Sequence, residues 1–308
     1  MNKQLADIPD YPNWRLIKKV EEGWSKDEKY YVENHEGTRL LLRITGSHMF
    51  DVKKKEFEMI QTFNTLDILM SEAISFGFCN DNRSVYLLLS WVDGLSLQEA
   101  LKQLPEEEQY AIGVQAGRIL KALHAMSVNP EDIPAEDKKV HKLRKLDTYV
   151  KSSVRVENDQ PAIDYVRNNL HKINPLPPVY KHGDFHVGNL ILSDKGKVGV
   201  IDFNRWNCGD RYEEFYKIQN FDVEVSIPFS VGQVDGYFNN EPPVQFWDVL
   251  AVYAAHSALC LINWAEKFNN RDEVSQMQQR CLQTFRDYDY FQTSVPHWYS
   301  DHYRKFRN

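Results

Sequence analysis

His182-Gly183-Asp184-Phe185-His186-Val187-Gly188-Asn189, followed after eleven intervening residues by Ile201-Asp202-Phe203, is the densest chemistry in the 308-residue chain. Gly183 and Gly188 argue that the first run is a loop. Asp184 and Asn189 lie five apart within it, and Asp202 follows Asn189 by thirteen. Between them, residues 190–192 and 198–201 read as two short strands around a turn at Asp194 to Gly196. A tight hairpin draws its two ends together, so two carboxylates and an amide oxygen are expected around one pocket.

That set suits phosphoryl transfer from a nucleoside triphosphate. One carboxylate orients an acceptor hydroxyl, while an Asn and an Asp hold Mg2+ against the phosphates. Magnesium takes oxygen ligands and keeps several waters, so two protein ligands suffice. No GxxxxGK[ST] occurs, which excludes a P-loop. The alternation His182-x-Asp184-x-His186 would turn three ligands one way on a strand, so a metallohydrolase is the rival chemistry. Against it stand the loop glycines and the lack of a further His or Cys at metal spacing nearby.

Working outward, residues 14–20 and 29–33 read as a hairpin whose long turn, 21–28, contains Gly23, and 39–45 (RLLLRIT) is a third short apolar run. Residues 53–63 place Phe57, Ile60 and Phe63 at helical spacing. Residues 84–92 (SVYLLLSWV) form a strongly apolar strand closed by the Asp93-Gly94 turn. Ser96 is placed to cap a short helix, 97–101. Residues 106–126 form a long amphipathic helix with three glutamates in its first turn, where the helix dipole favours them. Residues 147–178 read as a helix running into a Pro-rich loop. From Asp210 onward the pattern is mainly helical, with Asp210-Arg211-Tyr212-Glu213 as a capping box. Strands first and helices later predict an α+β chain, with a small sheet lobe over 1–92, a larger helical lobe over 93–308 and a hinge at 90–94.

At 42% apolar and 26% charged residues the composition is globular, which excludes disordered and fibrous classes. A net charge of −7 argues against a nucleic-acid partner. Cys79, Cys208, Cys260 and Cys281 are widely spaced without a CxxC pair, giving neither a zinc signature nor a disulfide framework. With Asp7 and Asp10 where a signal peptide needs an apolar core, they point to the cytoplasm. Residues 249–262 (VLAVYAAHSALCLI) are the most apolar stretch. Fourteen residues with His256 inside fall short of a bilayer span, so a buried core helix and no membrane partner are expected.

HGDFHVGN with IDF resembles the H-G-D-x-x-x-x-N and D-F/W pair of the aminoglycoside phosphotransferase and choline kinase superfamily, small-molecule relatives of the protein kinases. The resemblance extends over most of the chain. It implies a two-lobed protein-kinase-like fold: a nucleotide-binding N-terminal lobe with a small antiparallel sheet and one helix, and a larger, mainly helical, catalytic C-terminal lobe. It implies Asp184 as the catalytic base, Asn189 and Asp202 as Mg2+ ligands, and ATP or GTP as co-substrate. Gly23 then lies in the loop over the phosphates, Ser90 to Val92 at the adenine hinge and His186 near the phosphates. His182 is then structural, and Asp210 matches an aspartate that braces the catalytic loop. Where the family usually has a strand lysine paired with a helical glutamate, this chain has Arg43, with Glu56 thirteen residues on. Arginine is always charged and grips phosphate or carboxylate bidentately, so Arg43 is expected to do the lysine's job. That replacement is also the one feature favouring a third reading, a pseudokinase that binds nucleotide without transfer.

Of the 39 aromatic residues, 22 lie in 201–308, where 15 acids face 10 bases. Such a segment suits a cationic acceptor, although Trp247 and Tyr253 are expected in the core. Asn204, Trp206 and Glu213, close in sequence to Asp202, are the expected substrate contacts. By resemblance the acceptor is a hydroxylated, aminoglycoside-like antibiotic, with choline, ethanolamine or homoserine-type amino alcohols as the alternative. The macrolide branch, which often carries His at the Asn189 position, fits less well. A monomer or weak homodimer is expected.

Overall fold

Alternating leucines organise the first sheet. The computed structural model describes residues 4–21, 27–267 and 270–307. Strands β1 (Trp14–Val20), β2 (Glu28–Asn34) and β3 (Arg39–Gly46) are followed by helix α1 (Phe50–Phe63), the two-residue β4 (Leu69–Met70), β5 (Ala73–Cys79) and β6 (Ser84–Ser90). The five longer strands pair antiparallel in the order β1-β2-β3-β6-β5. On β3, Leu40 and Leu42 enter a core with Trp14, Val32, Tyr86 and Leu88. A strand's side chains alternate between faces, so Arg43 points to the opposite face, where it meets α1. That helix buries Lys53, Glu56, Met59, Ile60 and Phe63, the stripe that a 3.6-residue period produces.

β5 has no counterpart among the expected strands. It is an edge strand with exposed Ile74 and Phe78, pinned by Phe50 stacking on Phe78 at 4.5 Å. The turn into β6 places Asn80, Asp81 and Asn82 all at positive φ, which short polar side chains tolerate.

By contacts the chain divides into two units, Met1–Leu95 with Leu190–Asn204, and Ser96–Asn189 with Arg205–Asn308. The first crossing falls three residues after the 92/93 division drawn from sequence, which also did not foresee that 190–204 returns to the first unit. The return has a definite cause. Leu190–Leu192 and Val198–Val200 form the expected hairpin, and Val198–Val200 also pairs in parallel with β4.

The second unit is mainly helical: α2 (Leu97–Ala100), α3 (Glu106–His124), α4 (Lys138–Lys151), α5 (Gln160–Asn169), α6 (Ile227–Phe238), α7 (Val244–Glu266) and α8 (Arg271–Asp287), then two single turns. Ser96 caps α2 as expected, its side chain accepting from the Gln98 N–H. The single helix expected over 147–178 is instead two helices, α4 beginning before that window and α5 opening with Pro161 in its first turn. Helices α3 and α6 touch backbone to backbone. A Cβ on Gly113 or Gly117 would lie 2.1 Å from the carbonyl oxygen of Phe229 or Gln233, and one on Gly232 or Gly236 would lie 2.2 Å from that of Tyr110 or Val114.

Helix α7 extends the apolar stretch at both ends. At 23 residues it is long and apolar enough to cross a membrane by length and composition, so length alone does not exclude a span. Its burial within the protein marks it as a core helix: fifteen of its residues are buried, His256 among them. Trp247 and Tyr253 lie in that core as expected.

Candidate active site

In the first unit, Arg43 is a buried cation among carboxylates. Its Nη1 donates to Glu56 Oε1 at 2.6 Å, and Nε and Nη2 both reach Asp27 Oδ2, at 3.0 and 2.6 Å. Asp202 Oδ1 lies 3.5 Å from Nη1. Lys53, one helical turn before Glu56, adds a second cation: its Nζ donates to Asp27 at 2.6 Å and to Glu56 at 2.8 Å. Burial works against the Arg43 charge, and Glu56, Asp202 and Asp27 outweigh it, raising its pKa further. Burial likewise pushes the Asp27 carboxyl up, but Arg43 and Lys53 bring it below the usual carboxylate range. Asp202 follows Val198–Val200 with φ +63°, a sparsely populated conformation for a non-glycine residue.

In the second unit, Asp184 is a carboxylate among cations. Lys217 Nζ donates to its Oδ1 at 2.5 Å. His186 Nε2 lies 3.7 Å from the same oxygen, and Arg205 Nη1 lies 3.6 Å from Oδ2. Burial raises the carboxyl pKa, yet the nearby His186 ring and the Lys217 ammonium carry it well below the ordinary range. Asp184 is therefore ionised at any physiological pH. The loop is held by its own atoms as well. The Asn189 amide nitrogen donates to the Asp184 carbonyl at 2.9 Å, which turns the amide oxygen the other way. Gly183 has φ +80°, and a Cβ there would sit 1.9 Å from the Arg205 carbonyl oxygen, so only glycine fits.

Residues 182–186 form a loop, so the strand alternation that a metallohydrolase would need is not realised. His182 is fully buried, with Nδ1 accepting from the Asp184 N–H and its ring edge-on to Phe185. Among the described residues no group of three or more His, Cys, Asp and Glu is placed to hold a metal ion. Asn189 in the second unit and Asp202 in the first each carry an oxygen of the hard type that magnesium takes while keeping most of its waters.

The other expected residues have the following surroundings. Gly23 lies outside the described residues. At 90–92, expected to be a hinge, the Ser90 and Trp91 N–H groups donate to the Glu72 and Arg39 carbonyls, and Val92 is buried. Among the described residues the Asp210 side chain makes no hydrogen bond to the loop 182–189. It accepts from the Asn174 N–H, the Tyr212 N–H and the Tyr253 hydroxyl. The brace is Glu214, whose Oε1 accepts from Gly183 N–H at 2.8 Å and Phe185 N–H at 3.5 Å. No capping box forms at Asp210 to Glu213, because Glu213 is buried beneath three ammonium groups, those of Lys138, Lys142 and Lys181. That engagement also removes Glu213 as a substrate contact. Trp206 is half-buried, edge-on to Tyr180. Asn204 belongs to the first unit, with its buried Oδ1 lacking a hydrogen-bond partner among the described residues.

Sequence reasoning missed Lys53, Arg205, Glu214, Lys217 and Asp222. Asp222 is fully buried, its Oδ1 accepting from Val187 N–H at 2.9 Å. Burial raises its carboxyl well above the usual range. None of these residues sits in a recognisable motif; Glu214, next to the expected box, was the nearest to being found.

Residues 16–247 match the model of a phosphotransferase enzyme family. The chain is similar to the aminoglycoside 3'-phosphotransferase of Escherichia coli, 24% identical over 143 residues, covering 44% of this chain and 52% of that one. The chain thus spans about half the length of the curated relative it matches. Among solved structures, a thermostable mutant of aminoglycoside phosphotransferase APH(4)-Ia superposes with a TM-score of 0.69 at 18% identity, covering 90% of this chain and 96% of that one. The GDP complex of aminoglycoside 2'-phosphotransferase-IIIa gives 0.69 at 15% identity, over 92% and 96%. At such identities the structural likeness speaks to the fold, which is that of the kinase-like phosphotransferases.

Proposed function

The chain belongs to the phosphotransferase enzyme family, and from that premise we propose that it transfers the γ-phosphoryl group of ATP to a hydroxyl of a small molecule, an aminoglycoside-like polycation being the first acceptor class. Supporting the acceptor class are the curated relatives, aminoglycoside phosphotransferases by name, and a related structure described as a ternary complex with ADP and hygromycin B. The single observation that most supports the chemistry is the Arg43 guanidinium seated between Glu56, at 2.6 Å, and Asp202, at 3.5 Å. It puts an always-charged, bidentate donor beside the carboxylate proposed to hold the metal.

In this reading Asp184 accepts the hydrogen bond of the acceptor hydroxyl and orients it. Its depressed pKa makes it a weak base, which suits a loose transition state governed by positioning and charge. Asn189 and Asp202 would hold magnesium, which when bound would neutralise charge on the phosphate oxygens. Arg43, oriented by Glu56, binds the α- and β-phosphates. Gly23, Ser90, Val92 and His186 are proposed nucleotide neighbours, and Asn204 and Trp206 proposed acceptor neighbours. A cytoplasmic location is part of this reading, supported by four free cysteines.

The test is ADP release from MgATP across a panel of aminoglycosides, amino alcohols and macrolides. A saturable increase with one aminoglycoside, lost in Asp184→Asn, is expected. Saturation by an amino alcohol or a macrolide alone would overturn the acceptor class. No increase with any acceptor, despite MgATP binding, would overturn the activity.

A further inference from the structure

Three residues of one short segment, Lys217, Phe221 and Asp222, reach three successive points of the catalytic loop. Lys217 Nζ donates to the Asp184 carboxylate. The Phe221 ring lies against the His186 ring at 4.8 Å. Asp222 Oδ1 accepts from the Val187 N–H at 2.9 Å. All belong to the second unit.

An α-helix could not make this grip. At 3.6 residues per turn, a residue five positions on is rotated by roughly 140° from the first, so Asp222 would point away from the loop that Lys217 faces. The segment Ile218–Asp222 is instead a π-turn, closed by Val223 N–H donating to the Ile218 carbonyl at 3.0 Å. The wider i→i+5 turn brings positions 217, 221 and 222 to one side. Such turns are rare and are frequent at functional sites.

Lys217 is also costly unless used. Its side chain is 6% exposed, beside the Tyr216 and Phe221 rings at 5.2 and 5.3 Å. A buried ammonium persists only with a partner, and its partner is Asp184. With Oδ1 held by Lys217 and approached by His186, Oδ2 faces only the half-exposed Arg205 among the described residues.

We propose that this π-turn is the positioning device of the catalytic loop, and that Lys217 is its charged member, fixing Oδ1 so that Oδ2 meets the acceptor hydroxyl. The inference rests on Asp184 being the catalytic carboxylate, and Lys217 acts through it as a positioning residue.

The experiment is single-turnover conversion of γ-labelled MgATP with water as acceptor, alongside calorimetric binding of MgAMP-PNP. Lys217→Met is expected to slow turnover by at least about 100-fold, the scale of a lost catalytic contact. Nucleotide affinity should change less than about twofold, since the effect lies on the chemical step. Lys217→Arg should return within about tenfold of the parent, because the charge is kept while the reach differs. On an Asp184→Asn background, Lys217→Met should cost less than about threefold more, as two groups acting as one unit are not additive. A merely structural lysine would instead add its full loss to that background, and this would overturn the proposal. So would turnover by Lys217→Met within about threefold of the parent. Should the Met variant fail to fold, Phe221→Leu, which keeps every charge, must itself slow turnover with affinity intact, and parental turnover there would overturn the device. Parental turnover in Asp184→Asn would instead sink the reading beneath it.

Discussion

Arg43 and Asp184 are built as inverses of each other. In the first unit one buried guanidinium meets three carboxylates, those of Asp27, Glu56 and Asp202, with Lys53 sharing two of them. In the second, one mostly buried carboxylate meets Lys217, Arg205 and His186. Counting formal charges with His186 neutral, the first cluster carries two cations against three anions, and the second two against one. A cluster short of one positive charge is prepared for a divalent cation, and one with a surplus is prepared for negative charge developing on a transferring group. The difference teaches that pairing in each place is deliberately incomplete, because a fully neutralised cluster would have nothing left for a substrate.

The largest expected effect breaks the first cluster at Asp202, the carboxylate proposed to hold magnesium. Asp202→Ala should lower phosphoryl transfer by roughly 1,000-fold, as for loss of a central electrostatic contact, and at least as far as Asp184→Ala. Steady-state ADP release measures both, and near-parental turnover in the Asp202 variant would contradict the metal assignment. A smaller effect separates charge from shape. Arg43→Met should cost about 100-fold in kcat/KM and Arg43→Lys about tenfold, since a bidentate grip is lost but the charge stays. Equal losses would mean that the guanidinium serves packing alone.

A third cluster sharpens the comparison because it is complete and lies outside both. Arg155 donates to both Asp159 oxygens, at 2.7 and 2.8 Å, and Tyr149 adds its hydroxyl at 2.7 Å. Asp159→Asn should cost about 1–3 kcal/mol of stability and leave kcat unchanged, as thermal unfolding and ADP release would report. Burial raises the Asp159 carboxyl, but Arg155 and Tyr149 hold it below its usual range. Its contribution is therefore full above the unfolded value, about 3.9, and fades as pH falls toward the folded one. The parent should lose that increment on acidification while the Asn variant, already lacking it, loses less. A prediction of similar size concerns support alone: Gly236→Ala, pressed against the Val114 carbonyl, should destabilise by about 1–3 kcal/mol, read as a lower denaturation midpoint with parental activity per folded molecule.

Much of this was legible in local pattern. The run 14–20 is β1 residue for residue, and RLLLRIT places Arg43 opposite two buried leucines because strand alternation is a strictly local signal. The thirteen-residue spacing to Glu56 survives as a 2.6 Å ion pair. Other features depend on partners far along the chain. β5 went unread although Ile74, Phe76 and Phe78 alternate with Ser75 and Gly77; Gly77 reads as a strand breaker, and Ile74 and Phe78 prove to be exposed on an edge strand. The return of 190–204 rests on a pairing with the two residues of β4, too short for any periodicity. Lys217, Glu214 and Asp222 read as ordinary surface charges until burial is known, and Glu213 read as a pocket residue until three lysines were found above it.

The central claim, that Asp184 acts on the acceptor while Asp202 serves the metal-nucleotide complex, is tested most directly by titrating MgAMP-PNP into Asp184→Asn and Asp202→Asn and following ADP release from MgATP in each. The expected result is parental nucleotide affinity with turnover reduced to a small residual rate, by at least about 100-fold, in the first, and at least about tenfold weaker magnesium-dependent affinity in the second. Turnover by Asp184→Asn at the parental rate, or unchanged magnesium-dependent affinity in Asp202→Asn, would contradict it.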